Sequence, residues 1–164
     1  MMRALKPDDV KRIQEIAVRA WRGIYDSYRK IHGEDLYQRL FPNAPASKGD
    51  EVRRFCEQFP DNVWVCEEEG RVVGFVTFRL NAEKKIGVLS NNAVDADCGL
   101  KGIGQQMYAA VLDHFRRMGM DYAEVTTGLD EGHARARRAY ERAGFNIHKD
   151  QITYYMKLLK PSVQ

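Results

Sequence analysis

Apolar positions in the first part of the chain recur every three or four residues. Val10, Ile13, Ile16, Ala17, Ala20, Trp21, Ile24, Tyr25, Tyr28 and Ile31 fall on one stripe, which is the period of an amphipathic helix. Asp8 or Asp9 caps its start and Gly33 marks its end. Residues 34–41 predict a further short turn of helix, and Pro42-Asn43-Ala44-Pro45 is a break. Ser47 or Asp50 caps a second helix that runs to Phe59, with Pro60 just beyond. Residues 3–5 read as a short strand ahead of Pro7.

The period then changes. Residues 63–66 and 72–78 are β-branched and aromatic runs on either side of Glu67-Glu68-Glu69-Gly70, which predicts a hairpin. Residues 86–94 form a third strand, weakened by Asn91 and Asn92, and 95–100 a loop. A helix follows from about residue 101 to 118, with Ile103, Met107, Val111, Phe115 and Met118 on one face and Gly119 closing it. Residues 122–127 read as a strand, 131–143 as a helix ended by Gly144, and 152–159 as a last strand. The order β-α-α-β-β-β-α-β-α-β predicts an α/β (α+β) fold. Its sheet is mixed and mostly antiparallel, of about six to seven strands, with helices on both faces. The crossover from 86–94 to 122–127 is expected to be parallel and right-handed.

Composition narrows the class without naming it. The chain has 164 residues, 44% hydrophobic and 30% charged, which suits one domain over 1–164 with a real core. It shows no apolar run long enough to span a membrane and no apolar signal segment at the start. Cys56, Cys66 and Cys98 are too few and too scattered for a disulfide framework, and none forms a Cys-x-x-Cys pair. The expectation is therefore a cytoplasmic protein with no metal and no membrane partner. A net charge of +3 favours an anionic partner. The basic residues form no dense stripe with interleaved aromatics, so no nucleic-acid partner is expected.

The informative segment is Ala93-Val94-Asp95-Ala96-Asp97-Cys98-Gly99-Leu100-Lys101-Gly102-Ile103-Gly104. It reads as a strand, a glycine-rich loop and a helix start, an arrangement that presents backbone N–H groups to phosphate. A P-loop needs Lys-Ser/Thr after its second glycine, and Gly104 is followed by Gln105-Gln106. A dinucleotide fingerprint needs a small residue where Met107 stands. The third option is a pyrophosphate cradle for coenzyme A.

This segment and a second block, Ala136-Arg137-Arg138-Ala139-Tyr140-Glu141-Arg142-Ala143-Gly144-Phe145, together resemble the GCN5-related N-acetyltransferase superfamily. That family's acyl-CoA loop reads Arg/Gln-x-x-Gly-x-Gly/Ala soon after a Val-Asp, here Val94-Asp95 and Lys101-Gly102-Ile103-Gly104. The chain departs from it at Gly99, where the family has Arg or Gln, at Leu100, and at His133, where Asn is common.

The resemblance implies transfer of an acetyl group from acetyl-CoA, as co-substrate, to a primary amine of a small molecule or protein. It implies cofactor contacts from Ala93, Val94, Gly99, Leu100, Lys101, Gly102, Ile103 and Gly104, with His133 and Arg137 also at the cofactor. Tyr140 takes the family's position for the acid that protonates the leaving thiolate. The position that often carries a basic Glu is Asn91, which takes up no proton at neutral pH. Glu124, His133 and a water relay remain alternatives for the base. Relatives are often dimers, so a homodimer is an expectation too. The acceptor pocket is expected from the N-terminal helices, with Tyr28, Glu34 and Asp35 at its rim and Trp21 and Tyr25 weighted towards core packing. The altered positions keep a second reading open, a silent acyl-CoA-binding module of the same fold.

Overall fold

The computed structural model describes residues 1–158. Five strands form one sheet in the order β1 (Met2–Ala4), β2 (Val63–Glu68), β3 (Arg71–Asn81), β4 (Ile86–Val94) and β5 (Tyr122–Val125). The first three pairings are antiparallel, and β4 pairs with β5 in parallel. Helices α1 (Val10–Leu40) and α2 (Ala46–Gln58) precede β2, α3 (Ile103–Arg117) crosses between β4 and β5, and α4 (Ala134–Arg142) follows β5. The sheet is thus mixed and mostly antiparallel, but it has five strands where six to seven were expected. Residues 146–158 form neither helix nor strand, and Ile147, Ile152, Tyr154, Met156 and Leu158 are exposed. Alternation alone does not make a strand where neither face is covered. Leu159, the end of the expected last strand, lies outside the described residues.

The alternation of strand side chains builds a core on each face. On one face Ile13, Ile16 and Ala17 of α1 and Val52 and Cys56 of α2 pack on Val63, Val65, Phe75 and Ala93. On the other, Met107, Val111 and Phe115 of α3 and Tyr140 of α4 pack on Val73, Val76, Phe78 and Leu89. Phe75 and Phe78 are fully buried, and each contributes about 1.5–3 kcal/mol through the surface taken from water. The long first helix is broken at Gly33, where φ is +70°, so the expected stop and the expected extra turn are two halves of one continuous run.

Strand β4 carries a bulge. Val76 pairs with Asn92 and Phe78 with Leu89, so Ser90 and Asn91 together oppose Thr77. Beyond β4, the Asp95 carboxylate is fully buried and held by Arg12, by Arg71 at 3.5 Å and by the Asp97 backbone N–H at 3.1 Å. Arg12 lies on α1, so this ion pair fastens the start of the glycine loop to the first helix.

Candidate active site

The pairing of β4 with β5 runs from Ile86 with Tyr122 to Leu89 with Val125 and goes no further. Residues 92–94 of β4 stay paired with β3 on their other side. The two parallel strands therefore part, leaving backbone N–H and C=O groups of β4 without a strand partner beside β5. A cleft of about 1020 Å³ occupies this opening. One wall is Asn91, Asn92, Ala93 and Val94, and the loop after β5 contributes Thr126 and Thr127. At one end stand Leu100, Lys101, Gly102, Ile103 and Gly104, where α3 begins.

The glycines there have a backbone reason. Gly99 has φ +70° and Gly102, the residue before the helix, φ +82°, a region that side chains disfavour. This is why α3 starts at Ile103 rather than near Lys101. Its first N–H groups have no intrahelical partner and carry the positive end of the helix dipole. Open space surrounds Gly99 and Gly102, so the cradle has room for an anionic group.

Helix α4 brings Tyr140 to the cleft, buried to 8% exposure. The Asn92 side-chain amide donates to the Ser90 carbonyl and to the Tyr140 hydroxyl, both at 3.0 Å, and accepts from Tyr108 at 2.8 Å. A carbonyl can only accept, so the Ser90 contact fixes which end of the amide is nitrogen. Tyr140 is therefore an acceptor towards Asn92, and its own proton is free for another partner. Burial raises the Tyr140 pKa, and the neighbouring polar groups of Asn92 and Tyr108 only partly offset this. The phenol is held in its neutral, proton-bearing form.

Asn91, on the opposite side of the strand from Asn92, donates to Glu51 of α2 at 3.3 Å. Glu51 also receives the Lys48 ammonium at 2.8 Å, and that ammonium lies 4.9 Å from the centre of the Trp21 ring. All four side chains line the cleft. A carboxylate thus stands beside the asparagine, delivered by a different element 40 residues away in the chain. Sequence reasoning missed Glu51, because nothing in the period of α2 shows that it reaches β4. It missed Asn92 for a similar reason, since a polar residue in a strand reads only as a weak strand position.

Other expected residues fall elsewhere. Glu124 is exposed on β5 and does not line the cleft. Gly99 shapes the loop but is not part of the wall. Arg137 turns away: its Nη1 donates to the carbonyls of Gly128 at 2.6 Å and Asp130 at 2.8 Å, and Arg135 and Arg142 line the cleft instead. His133 does line it, with Nδ1 at 2.6 Å from Asp130 Oδ1. The Asp130 carboxylate has its pKa lowered: burial opposes this, but the hydrogen bonds from His133 and Ser27 outweigh it. Tyr28, Glu34 and Asp35 are not on the wall, whereas Trp21 both packs against the core and lines the cleft. Among the described residues no group of three or more His, Cys, Asp or Glu side chains is placed to hold a metal ion.

Parallel strands that part beside a helix start give the cleft room for an elongated ligand with an anionic end. The chain belongs to the acetyltransferase (GNAT) family, whose family model matches residues 21–145. It is 30% identical over 105 residues to S-(2-succino)cysteine N-acetyltransferase of Bacillus subtilis, covering 57% of this chain and 64% of that protein. It is 28% identical over 150 residues to mycothiol acetyltransferase of Segniliparus rotundus, covering 85% of this chain and 55% of that one. The chain thus spans less than two thirds of the length of these curated relatives. Among solved structures, paia N-acetyltransferase from Thermoplasma acidophilum in complex with coenzyme A superposes with TM-score 0.65, 15% identity and 92% of each chain covered. A GNAT family acetyltransferase from Brucella melitensis in complex with acetyl-CoA gives TM-score 0.60 and 20% identity, with 90% of this chain and 82% of that one covered. These likenesses share the fold found here. No helix among the described residues is long and apolar enough to cross a membrane.

Proposed function

We propose that this protein is an acetyl-CoA-dependent N-acetyltransferase acting on a small-molecule amine, with Tyr140 as the proton donor to the leaving thiolate. The observation that carries the reading is the free Tyr140 proton beside the opening between β4 and β5. The curated relatives are named for small molecules, which favours a small amine over a protein amino group.

The residues present suit acetyl-CoA. Backbone N–H groups from Leu100 to Gly104 receive its pyrophosphate. The unpartnered backbone of Ala93 and Val94 offers strand-like hydrogen bonds to its pantetheine arm. Lys101, Arg135 and Arg142 supply positive charge along the same cleft. The bound thioester supplies an acetyl group ready for attack by nitrogen.

The chain's own residues manage two protons. An alkyl ammonium has a pKa of about 10.4, so only about one amine in a thousand is neutral at pH 7. Glu51, beside Asn91, is placed to receive the ammonium and take its proton, directly or through water. Nitrogen bonds to the acetyl carbon, the carbon–sulfur bond breaks as Tyr140 gives its proton to sulfur, and the second proton that nitrogen sheds returns through water to the tyrosinate. Glu51 fills the place expected of Asn91 or Glu124.

The test is calorimetric titration with acetyl-CoA, followed by amine-dependent release of CoA. Binding with turnover that Glu51→Gln lowers about 10²-fold or more supports the reading. Binding without turnover of any amine makes the protein a silent acyl-CoA-binding module, and no binding at millimolar acetyl-CoA overturns the reading.

A further inference from the structure

The cleft end away from the glycine loop holds a cation with no partner among the described residues. Arg79 of β3 is exposed, and its guanidinium carbon lies 5.1 Å from the centre of the Phe55 ring and 4.9 Å from that of Phe59. The two rings are tilted by 49° with centres 5.2 Å apart, so they form a corner under the guanidinium. Among the described residues no carboxylate pairs with Arg79 and no acceptor takes a hydrogen bond from it. Phe55, Arg79, Trp21, Lys48, Glu51 and Asn91 all line the cleft, and Arg79 pairs with Val88, towards the end of β4 away from the glycine loop.

The charges there do not cancel. Lys48 is satisfied by Glu51 at 2.8 Å, and its side chain is only 12% exposed. This leaves Arg79 as a net positive charge on the wall. Aromatic stacking orients a guanidinium and takes up its face, while its N–H edge stays in plane and open. Such an edge matches the two oxygens of a carboxylate in geometry as well as in charge. An amine arrives at neutral pH as a cation. A bare polyamine meets repulsion from Arg79, whereas an amine that also carries a carboxylate brings the missing anion.

We propose that the acceptor is an amino-carboxylate, with its carboxylate taken by Arg79 and its amine delivered to Glu51 and Asn91. The inference rests on the acetyltransferase reading and adds to it the chemical class of the acceptor. Arg79 is on this account a specificity determinant that takes no part in proton transfer. The phenylalanine corner gives it a fixed position without consuming its hydrogen bonds.

The experiment compares matched pairs, each an amino acid and the amine left by removing its carboxylate: methionine with 3-(methylthio)propylamine, and lysine with cadaverine. The wild-type protein is saturated with acetyl-CoA and CoA release is followed. In parallel, each compound is titrated calorimetrically into the CoA-loaded protein. The expected result is a preference of about 10- to 100-fold for the carboxylate member, the range of hydrogen bonds to charged groups. Arg79→Gln should shrink the preference to less than about threefold by raising KM, with kcat and acetyl-CoA affinity held, and Arg79→Lys should keep part of it. Equal or better use of the decarboxylated amines overturns the inference, as does a preference that survives in Arg79→Gln. Failure of every amino acid to bind or react while acetyl-CoA still binds overturns it and leaves the cofactor reading intact. No binding of acetyl-CoA to the wild-type protein overturns both.

Discussion

The side-chain amide of Asn92 donates to the Tyr140 hydroxyl at 3.0 Å, and so leaves the tyrosine's proton uncommitted. Tyr140→Phe should therefore lower kcat by about 10²-fold or more while acetyl-CoA affinity changes by less than about twofold. Asn92→Leu keeps the phenol but removes what orients it, and should lower kcat by a smaller factor. Stopped-flow turnover and calorimetry on the two variants check both statements, and an unchanged kcat in Tyr140→Phe removes it from the reaction.

Gly102 has φ +82° immediately before α3, whereas Gly104 carries no such angle and an added Cβ there would meet only Val94 Cγ2 at 3.9 Å. Gly102→Ala should cost about 1–2 kcal/mol of stability, and distortion of the helix start should weaken acetyl-CoA binding about tenfold. Gly104→Ala should leave stability nearly unchanged. Thermal melts of the two variants side by side make the comparison.

Arg137 bridges the carbonyls of Gly128 and Asp130. Arg137→Met should lower Tm by roughly 3–10 °C through the loss of two charge-assisted bonds. Acetyl-CoA affinity should stay within about threefold. A loss of affinity with no loss of Tm would return Arg137 to the cofactor.

The Asp95 carboxylate has a lowered pKa. Burial opposes this, but the Asp97 N–H and Arg12 outweigh it. A carboxyl group with a depressed folded-state pKa stabilises above its unfolded value, near 3.9, and loses that contribution as pH falls through the folded value. Urea unfolding should thus show wild type well above Asp95→Asn at pH 7. The gap should hold to about pH 5 and narrow steadily below pH 4.

Much of this was legible in the sequence. The strand expected over 86–94 is β4 to the residue, because its β-branched ends and flanking turns bound it on both sides. The glycine loop was legible because left-handed backbone restricts the residue type. What the sequence hid were directions and distant partners. Arg137 sits in the family's second block, but a helical residue's side chain has a heading that spacing does not disclose, and this one faces its own preceding loop. Glu51 and Asn91 meet across two elements, and no local pattern encodes that meeting. The last strand failed for the opposite reason. Ile152, Tyr154, Met156 and Leu158 alternate as a strand should, yet they are exposed and pair with nothing among the described residues.

The extra residue in β4 sets the phase of everything after it. Leu89 faces α3, Ser90 and Asn91 share one opposing position, and Asn92 returns to the side of Tyr108 and Tyr140. Were the same residues paired without the bulge, Asn92, Ala93 and Val94 would exchange faces, and the amide that serves Tyr140 would point into the α1 and α2 layer instead. Deletion of Ser90 removes the bulge and leaves Asn92 opposite Val76, on the same face as before. The strand thus uses an irregular pairing, rather than its residue count, to turn Asn92 towards Tyr140.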